Sequence, residues 1–224
     1  MLKKYFYTLT SALKRPSDVI ESSIKSAGSD YQHPFKFNLI GVLALVIIFL
    51  LLPDFTVTPD QPAENDTALQ FQQSILDVKV EAATHFLPLS MFLLLIISLS
   101  IPGLFFFRGQ LDGFYSNLVL NSMAVGAALP FTLLLTPFWY FTGLPPTHAF
   151  LSSYLPGTVL AGVILRVYSG YLLTDDAIMW IRMISSYILG FLIFLTLRDF
   201  GAAVLGYSLF ALERLMEVWQ NTPA

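Results

Sequence analysis

The sequence predicts an all-α protein, a polytopic bundle of about five transmembrane helices with amphipathic N-terminal and C-terminal helices at the membrane interface. Composition is the first reason, because 55% of the 224 residues are hydrophobic and only 12% are charged, whereas a soluble domain is about 25% charged. The second reason is that the charged residues leave long gaps. The longest gap holds the 53 residues 113–165, and one bilayer-spanning helix needs only about 20 apolar residues.

Composition also excludes several classes of protein. The chain has no cysteine, so it forms no disulfide and no thiolate metal site. Its net charge is −3 and it has no run of basic residues, so we expect no nucleic-acid partner. The first 34 residues lack the basic patch and apolar stretch of a cleaved signal peptide. The first span is therefore expected to serve as an uncleaved insertion signal.

Residues 1–34 are predicted to form a cytoplasmic arm of two short helices that lie on the membrane surface. The apolar face of the first helix consists of Leu2, Tyr5, Phe6, Leu9 and Leu13. Pro16 suits the first turn of the second helix, where its missing N–H costs nothing, and Gly28 is the expected stop. The apolar side of this second helix is formed by Val19, Ile20 and Ile24. The arm is interpreted as a membrane anchor, with a partner-docking segment as the alternative.

Residues 35–199 are predicted to form the transmembrane bundle. Its first three spans are expected at residues 37–52, 86–107 and 114–140. Residues 54–85, rich in polar residues at their start, form an extracytoplasmic loop. Within this loop, Thr67-Ala-Leu-Gln70 fits a capping box, and the helix that follows would carry Phe71, Ile75 and Val78 on one face.

The last two spans are predicted at residues 150–173 and 177–197, the second of them ending at the Arg198-Asp199 pair. The 13 uncharged residues that follow this pair are too few to cross a bilayer. Residues 200–224 are therefore expected to hold a separate C-terminal amphipathic helix over residues 201–219.

The distribution of lysine and arginine predicts the orientation. Six of the twelve lie in residues 1–36, whereas the loop 54–85 holds one lysine and six carboxylates, so the N-terminus is expected in the cytoplasm and the loop outside. Five spans put the C-terminus outside. If residues 150–173 are re-entrant or interfacial instead, four spans put it inside. We favour five spans because a long apolar stretch precedes Arg166, which can snorkel to the interface.

Charged residues near membrane depth are the first candidates for a functional site, because burying them in lipid is costly. Arg166 and Arg182 are such residues, and Asp175 and Asp176 lie between them. One interpretation is a polar relay or a binding site for an anionic lipid or substrate. The other is two interfacial arginines paired with two loop carboxylates, which their position near span ends favours.

Asn117 and Asn121 are the second set of candidates. They are four residues apart in the third span, and Ala124 and Ala128 continue the same stripe. Small and polar residues on one face allow tight helix packing in lipid. Packing is therefore the favoured interpretation, and a polar pathway through the membrane is the alternative.

No enzymatic chemistry is predicted. The sequence has no glycine-rich phosphate loop, no G-x-S-x-G and no H-E-x-x-H motif, which are the patterns that would indicate phosphate transfer or hydrolysis. His33, His85 and His148 have no second histidine at helical spacing, and only single carboxylates, Asp30 and Glu81, lie three and four residues before His33 and His85. We therefore predict no catalytic residue, no metal and no cofactor.

Two stretches carry a family resemblance. The first is Leu13-Lys-Arg-Pro16 followed by Tyr31-Gln-His-Pro-Phe35, and the second is His85-Phe-Leu-Pro-Leu89 with Phe114-Tyr-Ser-Asn-Leu-Val119. They resemble an uncharacterised family of bacterial multi-pass membrane proteins, in which an "RP" helix leads through "Y-x-N-P-F" into the first span and "Y-x-E-H-L-V-F" opens the third. His33 replaces the family's usual Asn, and Ser116 and Asn117 replace its Glu-His pair. The zinc-binding Cys motif that often precedes them is also missing here.

The chain is more distantly similar to the Yip/Yif superfamily of five-span membrane proteins with a cytoplasmic N-terminus. Neither resemblance implies an enzyme, and the bacterial family implies an inner membrane location. The first functional hypothesis is therefore a non-enzymatic accessory, scaffold or assembly subunit. The second is a small oligomeric transporter, channel or lipid-moving protein, and a membrane-disrupting effector is a third. Membrane lipids and other membrane proteins, or further copies of this chain, are the predicted partners.

Overall fold

The structure is a computed structural model that describes residues 2–25, 30–51, 71, 75, 88–135, 154–172 and 176–220. These residues form seven α-helices, and no β-strand occurs among them. In chain order the helices are α1 (Leu2–Lys14), α2 (Pro16–Ile24), α3 (Pro34–Leu51), α4 (Pro88–Phe106), α5 (Gly113–Leu133), α6 (Leu155–Tyr171) and α7 (Ala177–Gln220). The predicted all-α class is confirmed for the described residues.

The N-terminal arm consists of two short helices, as predicted. Pro16 occupies the first turn of α2, where a residue needs no hydrogen-bonding N–H. The helix ends at Ile24, and the N–H of Lys25 closes it by donating to the Glu21 carbonyl oxygen. It therefore ends before Gly28, the predicted stop, which lies outside the described residues.

The buried face of α1 differs from the predicted one. Tyr5, Thr8 and Ala12 are buried, whereas Leu2 and Phe6 are 64% and 59% exposed. The physical reason is that α1 packs against α3, α5 and α6. The small side chains of Thr8 and Ala12 let the helices approach closely, and a periodicity of large apolar residues does not reveal such a contact.

The next four helices coincide with predicted apolar segments. Helices α3, α4 and α5 cover most of the first three, and α6 lies within the fourth; residues 52, 86–87, 136–140, 150–153 and 173 of those segments lie outside the described part of the chain. A short turn joins α4 to α5, and Gly109 and Gly113 adopt positive φ there. That backbone conformation strains residues with a Cβ.

The predicted helix end at Arg198-Asp199 is wrong. Helix α7 runs through this pair without a break and has 44 residues, which corresponds to a length of about 66 Å. The Arg198 guanidinium lies 3.1 Å from the Asp199 carboxylate, and charged side chains at a helix surface leave the backbone hydrogen bonds of the helix intact. Because the segment also lacks proline, nothing in the sequence forces the helix to stop.

One helix of the described residues is long and apolar enough to cross a membrane by length and composition. It is Ala177–Leu212, in which an 18-residue stretch has a mean hydropathy of 1.9 and is only 11% buried inside the protein. Pro34–Ala44 and Phe92–Phe106 are shorter apolar helical segments. The core helix of a soluble domain would be mostly buried, and the exposed surface of α7 is therefore its distinguishing property.

Helix α5 lies at the centre of the fold. It packs against α3, α4 and α6 and also contacts both helices of the arm, while α7 packs mainly on α4. The core residues Leu120, Met123, Ala124, Ala127 and Ala128 of α5 are fully buried.

Two contacts distinguish the ends of the bundle. At one end, Gly170 of α6 lies against Pro16 of the arm. Far along α7, Gly206 lies against Ile75, and the Phe71 ring meets those of Tyr207 and Phe210 at centroid distances of 6.0 Å.

Candidate functional site

The polar stripe on α5 lies at the centre of the bundle. Asn117 and Asn121 are 1% and 0% exposed, and Ala124 and Ala128 are fully buried along the same face. All four residues are thus buried, as are most of their neighbours in α5. Their role in packing or in a polar pathway stays a prediction.

Asn121 joins α5 to α6 through a hydrogen bond. The Tyr168 hydroxyl donates to Asn121 Oδ1, and Asn121 Nδ2 donates to the Asn117 carbonyl oxygen over 2.8 Å. The fully buried Tyr168 ring is held edge-on against Phe107 with a centroid distance of 5.4 Å. Every polar group of the Asn121 amide thus has a partner, as burial in an apolar interior requires.

Asn117 is only half satisfied. Its Nδ2 donates to the Gly113 carbonyl oxygen over 3.0 Å, but its buried Oδ1 has no hydrogen-bond partner among the residues that the structure describes. This oxygen faces Gly103 of α4, in the space that a Cβ on residue 103 would occupy. A glycine Cα–H is a weak donor to such an oxygen, so the contact partly offsets the missing hydrogen bond.

The same arrangement recurs between α3 and α5. Asn38 Nδ2 donates to the Ser122 carbonyl oxygen over 2.8 Å, and Asn38 Oδ1 is buried without a hydrogen-bond partner in the described part of the chain. A Cβ built on Gly126 would lie 3.1 Å from that oxygen. Sequence reasoning missed Asn38, and the signal available was a lone amide in the first turns of an otherwise apolar span.

A glycine also sets the contact between α4 and α7. A Cβ built on Gly190 would lie 2.8 Å from the Leu99 Cα atom, so the two backbones touch at this point. The Ser98 and Ser186 hydroxyls are buried without a partner among the described residues. Close approach of backbones through small residues is typical of helices that associate in lipid.

The charged candidates are not brought together. Arg166 and Arg182 are both exposed, and neither forms an ion pair within the described residues. Asp176 is a helix cap, because its Oδ1 accepts the Ile178 N–H of α7 over 3.0 Å. Asp175 lies outside the described residues.

The arm is attached to the bundle by specific contacts. Thr8 Oγ1 accepts the Gln32 N–H over 2.8 Å and donates to the Lys4 carbonyl oxygen over 2.9 Å. The Tyr5 ring packs on Phe37 of α3 at a centroid distance of 5.0 Å. Burial raises the pKa of the Tyr5 hydroxyl, because the charged form is poorly solvated there.

Asn117, Asn121 and Tyr168, here called the α5 cluster, offer only neutral amide and hydroxyl groups. Such groups donate and accept hydrogen bonds without gaining or losing charge near neutral pH. No group of three His, Cys, Asp or Glu side chains that could hold a metal ion occurs within the described ranges. The cluster can therefore hold helices together or accept a polar ligand.

No protein-family model, no curated protein and no solved structure matches this chain. The resemblance to bacterial multi-pass membrane proteins over residues 13 to about 135 consequently stays a prediction.

Proposed function

We propose that this chain is a multi-pass protein of the bacterial inner (cytoplasmic) membrane that has no enzymatic chemistry and acts as an accessory, scaffold or assembly subunit of a membrane protein complex. The observation that carries the proposal is the surface of α7. Large apolar side chains point outward along it, among them Ile181 at 64% and Ile188 at 52% exposure. A patch of this extent is unfavourable in water and costs nothing in lipid.

Five crossings are supported by the contacts at the two ends. Phe71 and Ile75 belong to the long loop, and their contacts with Gly206, Tyr207 and Phe210 support a common side for the loop and the outer half of α7. The arm contacts Gly170 instead. If the arm and the loop lie on opposite sides of the membrane, the chain crosses the membrane an odd number of times between the arm and the outer half of α7. With four crossings, the outer half of α7 would lie on the same side as the arm.

The charge distribution supports the same orientation. With five spans, the arm's side holds nine basic and six acidic residues, a net charge of +3, and the loop's side holds three basic and nine acidic residues, a net charge of −6. An excess of lysine and arginine marks the cytoplasmic side. The arm's side is therefore the cytoplasmic one in this proposal.

Labelling of single cysteines tests the orientation, because the chain has no cysteine of its own. Thr10→Cys and Ser208→Cys change exposed positions of α1 and α7. A membrane-impermeant maleimide is expected to label Ser208→Cys in intact spheroplasts and Thr10→Cys only after permeabilisation. Labelling of both positions, or of neither, before permeabilisation would contradict five spans.

The length of α7 supports a binding role. At about 66 Å its 44 residues exceed the hydrocarbon core of about 30 Å, so much of the helix lies beyond the acyl chains. This outer part still exposes Leu212 and Leu215, at 54% and 67%. Apolar side chains outside lipid indicate a surface that another protein covers.

Co-purification from native membranes in mild detergent tests this role. We expect a stoichiometric complex that Leu215→Ser disrupts, while Ile184→Ser, at an exposed position within the lipid-facing part of α7, leaves it intact. A chain that purifies alone, before and after crosslinking in native membranes, would overturn the scaffold proposal.

A transporter, channel or lipid-moving protein is the second candidate, and the observation that favours it is the buried Asn117 Oδ1, which has no hydrogen-bond partner within the described ranges. A polar group of this kind in a membrane interior can bind a passing solute. Asn117→Leu, Asn121→Leu and Arg166→Gln are expected to reduce solute or lipid flux in proteoliposomes if this function is correct. Ser169→Ala is the control on α6, and unchanged flux in all variants would exclude the candidate.

A further inference from the structure

We propose that α1 binds the inner leaflet of the membrane with the exposed side next to its buried one, inserting Leu2 and Phe6 among the acyl chains and placing Lys3 and Lys14 at anionic phospholipid headgroups. This inference rests on the proposed function, because it takes the arm's end of the bundle to lie at the cytoplasmic membrane surface.

The helix has three distinct sides. Successive residues are about 100° apart around a helix, so the buried residues Tyr5, Thr8 and Ala12 form one side. Leu2, Leu13 and Phe6 fall within roughly 40° of each other on the next side. Lys3, Thr10 and Lys14 again fall within roughly 40° and point directly away from the bundle.

The first side holds the helix in a fixed rotation. The hydrogen bond from the Gln32 N–H to Thr8 Oγ1 and the packing of Tyr5 on Phe37 prevent α1 from rolling. Leu2 and Phe6 are consequently held outward, at 64% and 59% exposure. The sequence alone would have turned both residues toward the same surface as Tyr5.

Charge complementarity identifies the occupant. Helix α1 contains three lysines and no carboxylate, and its exposed lysines border the apolar side directly. A lysine beside an apolar stripe can lay its stem along acyl chains while its ammonium reaches the phosphates. Phe35 and Lys36, which are adjacent and both exposed at the start of α3, repeat the same pairing. Anionic phospholipid therefore fits this surface.

Spin labels on single cysteines test the insertion in nanodiscs that contain the full chain. Phe6→Cys reports the apolar side, and Lys14→Cys, which lies about 80° further around the helix and is also exposed, is the control. We expect the label at residue 6 to collide mainly with oxygen, which concentrates in acyl chains, and the label at residue 14 to collide mainly with a water-soluble nickel complex. Equal nickel access at both positions would overturn the inference.

A third label separates this inference from the proposed function. Ile188→Cys lies on the exposed side of α7 and is expected to contact oxygen whether or not α1 binds lipid. Nickel access at residue 6 with oxygen access at residue 188 refutes the inference alone. Nickel access at both refutes membrane insertion. A label at residue 6 that both reagents fail to reach in native membranes indicates a protein partner and overturns the inference.

Lipid preference tests the headgroup contact. Each lysine near an anionic surface contributes about 1 kcal/mol, so Lys3→Gln and Lys14→Gln are each expected to lower the preference for phosphatidylglycerol over phosphatidylcholine roughly fivefold. Lys25→Gln is the control, because the Lys25 ammonium already pairs with Glu21 at 2.9 Å. An unchanged preference in the two α1 variants would refute the role of anionic headgroups.

Discussion

The side-chain carbonyl oxygen of Asn117 fills the space beside Gly103 that a Cβ atom on residue 103 would take. Gly103→Ala should therefore force α4 and α5 apart or displace the amide. The expected cost is about 1–3 kcal/mol of unfolding free energy, the usual range for an overpacked core. Thermal unfolding in detergent, followed by circular dichroism, measures it.

A helical glycine in open space provides the control for this substitution. A Cβ on Gly162 of α6 would have no neighbour within 4 Å, so Gly162→Ala should leave stability unchanged or raise it by up to about 1 kcal/mol. Adding Asn117→Ala to Gly103→Ala removes the clash and should restore part of the loss. Equal stability of the Gly103→Ala and Gly162→Ala variants would show that the two helices do not meet as described.

Gly190→Ala should be among the most destabilising single substitutions in α7. Its added Cβ would lie 2.8 Å from the Leu99 Cα atom, and backbone cannot rotate away as a side chain can, so we expect a loss of about 2 kcal/mol or more. Gly201→Ala in the same helix meets nothing within 4 Å and should be tolerated. The midpoints of thermal unfolding of the two variants are compared to test this prediction. Similar midpoints would contradict the close approach of α4 and α7.

Tyr168→Phe should weaken the contact between α5 and α6. It removes the hydroxyl that donates to Asn121 Oδ1 and leaves that buried oxygen unpaired, at an expected cost of about 1 kcal/mol. A double-mutant cycle with Asn121→Ala measures the coupling directly. If the two single effects add without coupling, the hydrogen bond does not contribute to stability.

Thr8→Val should loosen the arm without unfolding the bundle. The valine cannot accept the Gln32 N–H, which Thr8 Oγ1 accepts over 2.8 Å, so a buried donor loses its partner at a cost of about 1–3 kcal/mol. Amide hydrogen exchange in residues 2–14 should accelerate. Thr10→Val, whose hydroxyl is exposed and bonds only to Phe6 of its own helix, should leave the exchange unchanged, and equal exchange in both variants would refute the role of Thr8.

The helical elements could be predicted because their signals are local. Pro16 at the start of α2 and the positive-φ glycines between α4 and α5 act through their own backbone, and the long apolar stretches need no tertiary information. The buried stripe of Asn117 and Asn121 could likewise be found from helical spacing alone.

What the sequence could not supply depends on contacts between distant residues. The rotation of α1 is set by Thr8 and its partner 24 residues away, and neither residue is apolar. Asn38 matters because Ser122 and Gly126 lie beside it, which no local pattern indicates. Helix α7 continues through Arg198 and Asp199 because charged side chains leave the backbone hydrogen bonds of a helix intact, whereas a charge-counting rule treats each charge as the end of a span.

The unbroken length of α7 makes it a lever. Gly190, where α7 contacts α4, lies 13 residues after the first residue of the helix. The part of the helix beyond this contact, which includes Phe200 to Gln220, is therefore longer than the part before it. A tilt of about 10° about Gly190 carries the end at Gln220, about 45 Å away, through roughly 8 Å, so a smaller displacement near Ala177 is amplified at the C-terminal end of the helix.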